Sequence, residues 1–332
     1  MKGNIVQFGN FFHQNNFSKL ILSWFKKNQR HLYWRDNRSL YLTYLTEIML
    51  QQTSVKTVEN KLKVYLDKFP NFSSYRSKKL NDLLSSWSGL GYYNRAENLF
   101  KSIKIINEKY KGKIPSNKFE LLALPGIGQY TANAILSIGF NKKAYPIDVN
   151  IRRLLTRILD RTLTDEELER VLDISFKNKR NFRNFSESMM DYSSSICKKS
   201  SPLCNECIFN KFCKSAYKKF DKKILKKIKH QNLEFYIIKK NNLLCFIKNP
   251  SFQFYKKFNH LPSNLDKKFI SFIKFAEKQK VMSFKYSITN HRFKINVYNL
   301  KNLKINYQNI KWVKKTELKK IALPTLFKKI LY

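Results

Sequence analysis

Cys197, Cys204, Cys207 and Cys213 stand in a C-x6-C-x2-C-x5-C run, and no other feature of this chain restricts its fold as strongly. If these thiols share one metal centre, the backbone between them must close into a compact loop. A structural zinc ion is usually held by two C-x2-C pairs. Here there is one such pair and two wide, unequal spacings. Uneven spacing suits an iron–sulfur cluster, in which each sulfur reaches a different corner of a cube. Zinc, reduced thiols and disulfides are the alternatives. Met1 to Gln7 lead into polar residues without the apolar stretch of a secretory signal. A reducing cytoplasmic setting is therefore expected, where clustered cysteines serve metals more often than disulfides. Cys245, in Leu243-Leu244-Cys245-Phe246-Ile247, reads as a small buried hydrophobe.

At 332 residues the chain is long enough for two domains with separate cores. No window approaches the roughly 18 apolar residues of a membrane span. The formal net charge of +42 calls for a polyanionic partner, and nucleic acid is the usual one, because each neutralised phosphate releases a condensed counterion. The abundance of Lys, Asn, Ile, Phe and Tyr is also what AT-rich coding produces, which is a second source of the charge.

From Asn16 to about Asn184 apolar residues recur at three- and four-residue intervals, as in Leu20, Ile21, Trp24 and Phe25, predicting helices. Residues 185–217 are expected to hold one more helix and the cysteine loop. Residues 218–231 are basic and glycine-free and read as a linker. Beyond it the period drops to two. Glu234–Ile238, Leu243–Ile247, Ser283–Ile288 and Phe293–Tyr298 are predicted strands, the first two joined through Asn241-Asn242. Asn264–Lys280 and Pro324–Leu331 are predicted helices.

Glu120 to Ile135 reads as helix, tight turn, helix. Pro125 ends the first helix, Gly126 and Gly128 permit the turn, and Gln129 restarts the helix with free N–H groups that suit a DNA phosphate. A structural αα-hairpin has the same pattern. With Pro146-Ile147-Asp148-Val149-Asn150 and the cysteine run, this segment resembles the endonuclease III superfamily of DNA glycosylases. Tyr33-Trp34-Arg35, Thr46-Glu47-Ile48-Met49-Leu50-Gln51-Gln52-Thr53 and Trp87-Ser88-Gly89-Leu90-Gly91-Tyr92-Tyr93-Asn94-Arg95-Ala96 are similar to its adenine DNA glycosylases, the MutY family. The resemblance covers residues 18–217 with specific motifs and the C-terminal part weakly.

The resemblance implies a mainly α protein. A two-lobed, all-helical helix–hairpin–helix glycosylase domain (1–217) would carry one [4Fe–4S] cluster in its 197–213 loop. A smaller α/β, Nudix-like mismatch-recognition domain would span 232–332. It implies a monomeric enzyme that flips adenine mispaired with 8-oxoguanine or guanine out of double-stranded DNA and removes it hydrolytically. Glu47 would protonate adenine N7 and activate water. Burial in its apolar segment would raise its pKa and suit it to hold a proton near neutrality. Asp148, in a position that by default caps a helix, would stabilise the oxocarbenium-like sugar, with Asn150 beside it. Tyr130 stands where bifunctional glycosylase/lyases carry a lysine. A phenol cannot form an imine, so hydrolysis is expected, with Lys142 and Lys143 as the nearby amines. Gln52 and Tyr92 would wedge into the duplex and Thr53 contact the orphan base. Trp34 and Glu187 would line the adenine pocket, and Gly126 and Gly128 would serve the DNA backbone. From helical spacing alone, Trp34 and Tyr92 read as core aromatics. Lys198, Lys199, Lys211 and Lys214, interleaved with the cysteines, would meet phosphates. The alternatives are an endonuclease III-like lyase on oxidised pyrimidines and a non-catalytic DNA-binding relative.

Two departures matter. The family's Asp-Gly-Asn is Asp148-Val149-Asn150, and valine would be strained if that position needed a positive φ. The family's Phe-Ser-His loop that reads 8-oxoguanine is Ile288-Thr289-Asn290, with His291 one place out of register. No Nudix box is present, so pyrophosphate hydrolysis is not expected.

Overall fold

The protein is described from a computed structural model covering residues 2–176, 180–220, 228–248, 250–255, 258–273, 276–301, 307–321 and 323–332. It divides into two units: Met1–Ser77 with Glu97–Lys222, and Lys78–Ala96 with Lys223–Tyr332.

The first unit is helical, and polar side chains set where its helices start. Ser39, Asn117 and Thr164 each accept a hydrogen bond from the first turn of the helices Leu40–Leu50, Lys118–Leu122 and Asp165–Ser175, using side-chain oxygens to satisfy otherwise orphaned amides. The helix Val149–Leu159 buries Ile151, Leu154, Leu155 and Ile158 against Leu168 and Leu172 of Asp165–Ser175 and Phe185 and Met189 of Phe182–Ser195. Each such side chain contributes roughly 1.5–3 kcal/mol of burial. Cys197 and Phe209 belong to the same core, so the cysteine loop packs onto the helices. A helix at Lys2–Gln14 precedes the segment read as helical. Gly9 obscures it, since a mid-helix glycine lowers helix propensity. A Cβ there would sit 2.5 Å from Ile174 Cβ, so the glycine lets two helices touch.

In the second unit β1 (Lys229–Lys240), β2 (Leu243–Ile247), β3 (Glu277–Ile288), β4 (His291–Lys301) and β5 (Ile310–Lys314) form one sheet in the order β3-β4-β1-β2-β5. The β1–β4 pair is parallel and the others are antiparallel. Alternation along β1 builds two cores. Leu233, Phe235 and Ile237 meet Phe327 and Leu326, while Tyr236 and Ile238 meet Phe269 and Cys245 on the opposite face. Cys245 is fully buried, as its apolar run implied, and burial pushes its thiol up to about 12.

Two expectations change here. Among the described residues, the predicted helix Asn264–Lys280 is a helix only at Lys267–Phe272, and Glu277–Lys280 already belongs to β3. The alternation Met282, Phe284, Tyr286, Ile288 faces one core, and pairing with β4 extends the strand back over polar residues. β1 begins at Lys229, within the stretch read as linker, because Lys229 to Gln231 pair with His291 to Phe293. Residues 221–227 of that stretch lie outside the described residues. Among the described residues, no helix is long and apolar enough to cross a membrane.

Candidate active site

The helix Leu40–Leu50 is apolar except at a few positions, and the packing of its neighbours leaves Glu47 8% exposed. The carboxyl opens on a cavity of about 260 Å³ lined by Trp34, Arg35, Tyr130, Asp148, Asn150 and Glu187, among others. Burial raises the Glu47 pKa to about 7. Arg35 and a hydrogen bond with Tyr130 oppose the rise, and the charges of Glu187 and Asp148 add to it. Burial, then the charges of Glu47 and Asp148, hold the Tyr130 hydroxyl well above the usual phenol range. It is a neutral hydrogen-bonding group here.

Asp148 caps the helix Val149–Leu159. Its Oδ1 accepts from the Asn150 and Ile151 amides at 2.9 and 2.7 Å, and its Oδ2 from Asn150 Nδ2 at 2.8 Å. The capping and cleft-lining roles coincide, since the same carboxylate is fixed by the cap and faces the cavity. Arg153, one turn on, donates to Asn150 Oδ1 at 2.9 Å, to the Cys197 carbonyl at 2.8 Å and to the Ser193 carbonyl at 2.8 Å. One helix thus carries the site's residues on its first turn and holds the cysteine loop on its second.

Glu187, 2% exposed, takes a two-pronged bond from Arg38 at 2.8 and 2.9 Å. Asp191, four residues along the same helix, takes Arg35 at 2.7 and 3.0 Å and Arg30 Nε at 2.7 Å. Sequence reasoning singled out none of Arg30, Arg38 and Asp191. The available signal was the i, i+4 spacing of Glu187 and Asp191, which puts both carboxylates on one helix face.

The hairpin forms as expected. Gly126 has φ +82°, and a Cβ on it would meet Asn98 Cβ at 2.8 Å, so both backbone and space demand glycine. Gly128, the N-cap of Gln129–Ala134, would meet nothing within 4 Å, leaving the helix start open. Gln51, unmarked in the sequence, ties the end of Leu40–Leu50 to this hairpin through Thr131 Oγ1 at 3.2 Å. The hairpin helix continues as a π turn, Ile135–Gly139, a distortion often found beside functional sites. Gln52 is exposed with φ +58°. In the second unit Tyr92 is 51% exposed with φ +45°, which excludes the core-aromatic reading. Non-glycine residues in this region of backbone space cost energy unless their surroundings hold them there. Trp34 is buried at the cleft wall, and Thr53 lines the same cavity.

Cys197, Cys204, Cys207 and Cys213 are free thiols lining a single, largely apolar cavity with Leu154, Ile158, Leu203 and Phe220. Two donors point at their sulfurs. The Tyr192 hydroxyl donates to Cys207 Sγ at 3.0 Å and accepts from the Ile208 amide at 2.9 Å, and Arg157 Nη1 lies 3.5 Å from Cys197 Sγ. Arg157 also binds the Lys198 and Lys199 carbonyls, at 2.7 Å each. Among the described residues, no three His, Cys, Asp or Glu close on a single metal ion.

A family profile described as the HhH-GPD superfamily of base excision DNA repair proteins matches residues 45–176. An adenine DNA glycosylase of Buchnera aphidicola subsp. Acyrthosiphon pisum (strain APS) is 41% identical over 253 residues, 73% of this chain and 72% of the relative. This chain belongs to the adenine DNA glycosylase family. Another such glycosylase, from Buchnera aphidicola subsp. Schizaphis graminum (strain Sg), is 38% identical over 80% of this chain and 79% of its own length. Among solved structures, a thermostable thymine-DNA glycosylase matches with a TM-score of 0.56 and 28% identity, over 62% of this chain and 98% of that one. A non-covalent endonuclease III–DNA complex, at 23% identity and TM-score 0.54, covers 60% of this chain and 94% of the other and shares the fold.

Two features of this family member resolve questions the sequence raised. Val149 is 73% exposed at the first helical position and has no positive φ, so the loss of the family glycine brings no strain. Lys142 Nζ binds the Ser116 carbonyl at 2.7 Å and Lys143 pairs with Asp173 at 2.7 Å. Both line a different cavity, and the amines near the hairpin are therefore turned away from Glu47. In the second unit Thr289 and Asn290 form the β3–β4 turn. Thr289 is exposed at φ +55° and its Oγ1 bonds the Ile288 carbonyl at 2.7 Å.

Proposed function

We propose that this family member is a monofunctional DNA glycosylase of base excision repair, which flips and hydrolytically removes adenine mispaired with 8-oxoguanine or guanine in duplex DNA. The observation that carries this reading is a buried carboxyl with its pKa raised to about 7. It faces a fixed carboxylate across a cleft whose described lining contains no lysine. Protonated Glu47 donates to adenine N7, and the C1′–N9 bond breaks with its electron pair leaving on the base. Asp148, locked by amides, offers its charge to the oxocarbenium-like sugar. Ionised Glu47 then accepts a proton from the water that attacks C1′. Tyr130 and Asn150 hold the two carboxylates. Tyr130 in place of a lysine, and the engagement of Lys142 and Lys143 elsewhere, favour hydrolysis over imine chemistry.

The open N-terminus at Gly128 is suited to a DNA phosphate, and Gln52 and Tyr92 have the exposure a duplex wedge needs. Trp34 and Glu187 would bound the flipped adenine, Thr53 the orphan base, and Thr289 and Asn290 would read its partner. The four cysteines would hold one [4Fe–4S] cluster. Four cysteines of uneven spacing that line one largely apolar cavity have the donor set of a centre that takes one thiolate per iron. When bound, that group would fix the loop bearing Lys198, Lys199, Lys211 and Lys214 against DNA. A single-turnover assay on duplexes with adenine opposite 8-oxoguanine, guanine or thymine, read with and without alkali, tests the reading. Alkali-dependent cleavage, fastest opposite 8-oxoguanine, is expected. Alkali-independent cutting of oxidised pyrimidines with no adenine release would overturn it.

A further inference from the structure

Three arginines, Arg30, Arg35 and Arg38, crowd one wall of the Glu47 cleft, where positive charge would drive Glu47 to ionise and lose the proton it must donate. The groups facing Glu47 come from four elements: Arg35 on Tyr33–Asp36, Tyr130 on Gln129–Ala134, Asp148 at the cap of Val149–Leu159, and Glu187 on Phe182–Ser195. Arg30 and Arg38 line the same cleft; Arg35 acts on Glu47 most directly, and its side chain is 8% exposed, so water screens it poorly. Its donors are committed elsewhere. Nη1 and Nη2 grip the two oxygens of Asp191 at 2.7 and 3.0 Å, and Nε faces Glu187 at 3.5 Å. Asp191 is 1% exposed and also receives the Arg30 backbone amide at 3.2 Å and its Nε at 2.7 Å. Burying this carboxylate carries a desolvation cost that its guanidinium partners offset, and removing it would leave their charge uncompensated.

We propose that Asp191 is a positioning residue that keeps Glu47 protonated, by neutralising Arg35 and holding its guanidinium on the Phe182–Ser195 helix. The proposal rests on Glu47 being the acid of the reaction. With Asp191 ionised, three arginines face two carboxylates beside Glu47; without it they face one, and the surplus positive charge favours the Glu47 anion.

The test is the single-turnover rate against pH, on a duplex with adenine opposite 8-oxoguanine at saturating protein. A required acid gives a rate that falls as pH rises through its pKa. In Asp191→Asn that falling limb is expected to move to lower pH by about one unit or more, while Asp191→Glu returns it toward its original position. Arg30→Gln removes a cation and is expected to move the limb to higher pH. The Arg30 side chain is 40% exposed, so this variant decides the matter if Asp191→Asn does not fold. A rate loss in Asp191→Asn with an unmoved limb would mean a purely structural role and would overturn the proposal, as would an unmoved limb in Arg30→Gln. Full activity in Glu47→Gln would instead remove the reading on which it rests.

Discussion

Around Glu47, buried carboxylates are held by fixed partners: Arg38 on Glu187 and Arg35 and Arg30 on Asp191, while backbone amides fix the part-buried Asp148. At the β3–β4 turn Thr289 stands exposed, with its hydroxyl on its own neighbour's carbonyl. The contrast follows from what each region would have to do. Acid chemistry on a base needs a carboxyl out of water, and every desolvated charge then needs a fixed partner. Reading a base in a duplex needs donors that reach outward from a stiff turn, and such groups pay little for exposure. The first region is over-determined and tolerates few changes. The second, being exposed, is expected to tolerate exchange of its side chains.

The largest effect should come from Glu47→Gln, which keeps the shape and removes the proton. Its single-turnover adenine release is expected to fall by roughly 10²–10⁴-fold. The wild-type rate should hold below pH 7 and decline above it, because burial raises the Glu47 pKa to about 7 and the required form is the protonated one. A flat profile through neutrality would break the comparison at its stronger side. Asp148→Asn is expected to cost about 10²-fold or more in rate with little change in melting temperature, since asparagine caps a helix as well as aspartate. A large loss of stability with the rate preserved would reduce Asp148 to its capping role.

Tyr192→Phe probes the cysteine loop. It strips a donor from Cys207 Sγ and an acceptor from the Ile208 amide, and leaving that amide bare should cost about 1–3 kcal/mol. Denaturant unfolding should show the loss, and iron bound by purified protein should pass to a chelator faster. Unchanged stability and iron retention would show that the hydroxyl is idle. The smallest effect is expected from Thr289→Ala and Asn290→Ala, which should change the ratio of rates opposite 8-oxoguanine and guanine by about 3–10-fold without moving the melting temperature. An effect as large as that of Glu47→Gln would erase the distinction between the two regions.

Much of this was legible in the residues. The hairpin could be read because Pro125 and Gly126 act locally, and Gly126 indeed takes φ +82°. Burial of Glu47 could be read because its neighbours in sequence are apolar. The helix expected over Asn264–Lys280 was drawn too long because Glu277–Lys280 become strand only through pairing with β4. The helix Lys2–Gln14 was missed because Gly9 hides it, and its place depends on contact with Ile174.

By itself, then, the sequence determined the helical first part, the two-residue period of the second, the hairpin, the absence of a lysine at position 130 and the set of four cysteines, because each depends on neighbours within a few residues. Tertiary structure alone decided that Arg35 and Arg30 converge on Asp191 and that Arg153 joins Asn150 to the Cys197 carbonyl. It also decided that Tyr192 meets Cys207 and that Lys142 and Lys143 turn away from Glu47. Most of these contacts join separate elements of the chain, and charge pairing in a buried site is chosen by which helices pack together, a choice that no local spacing records.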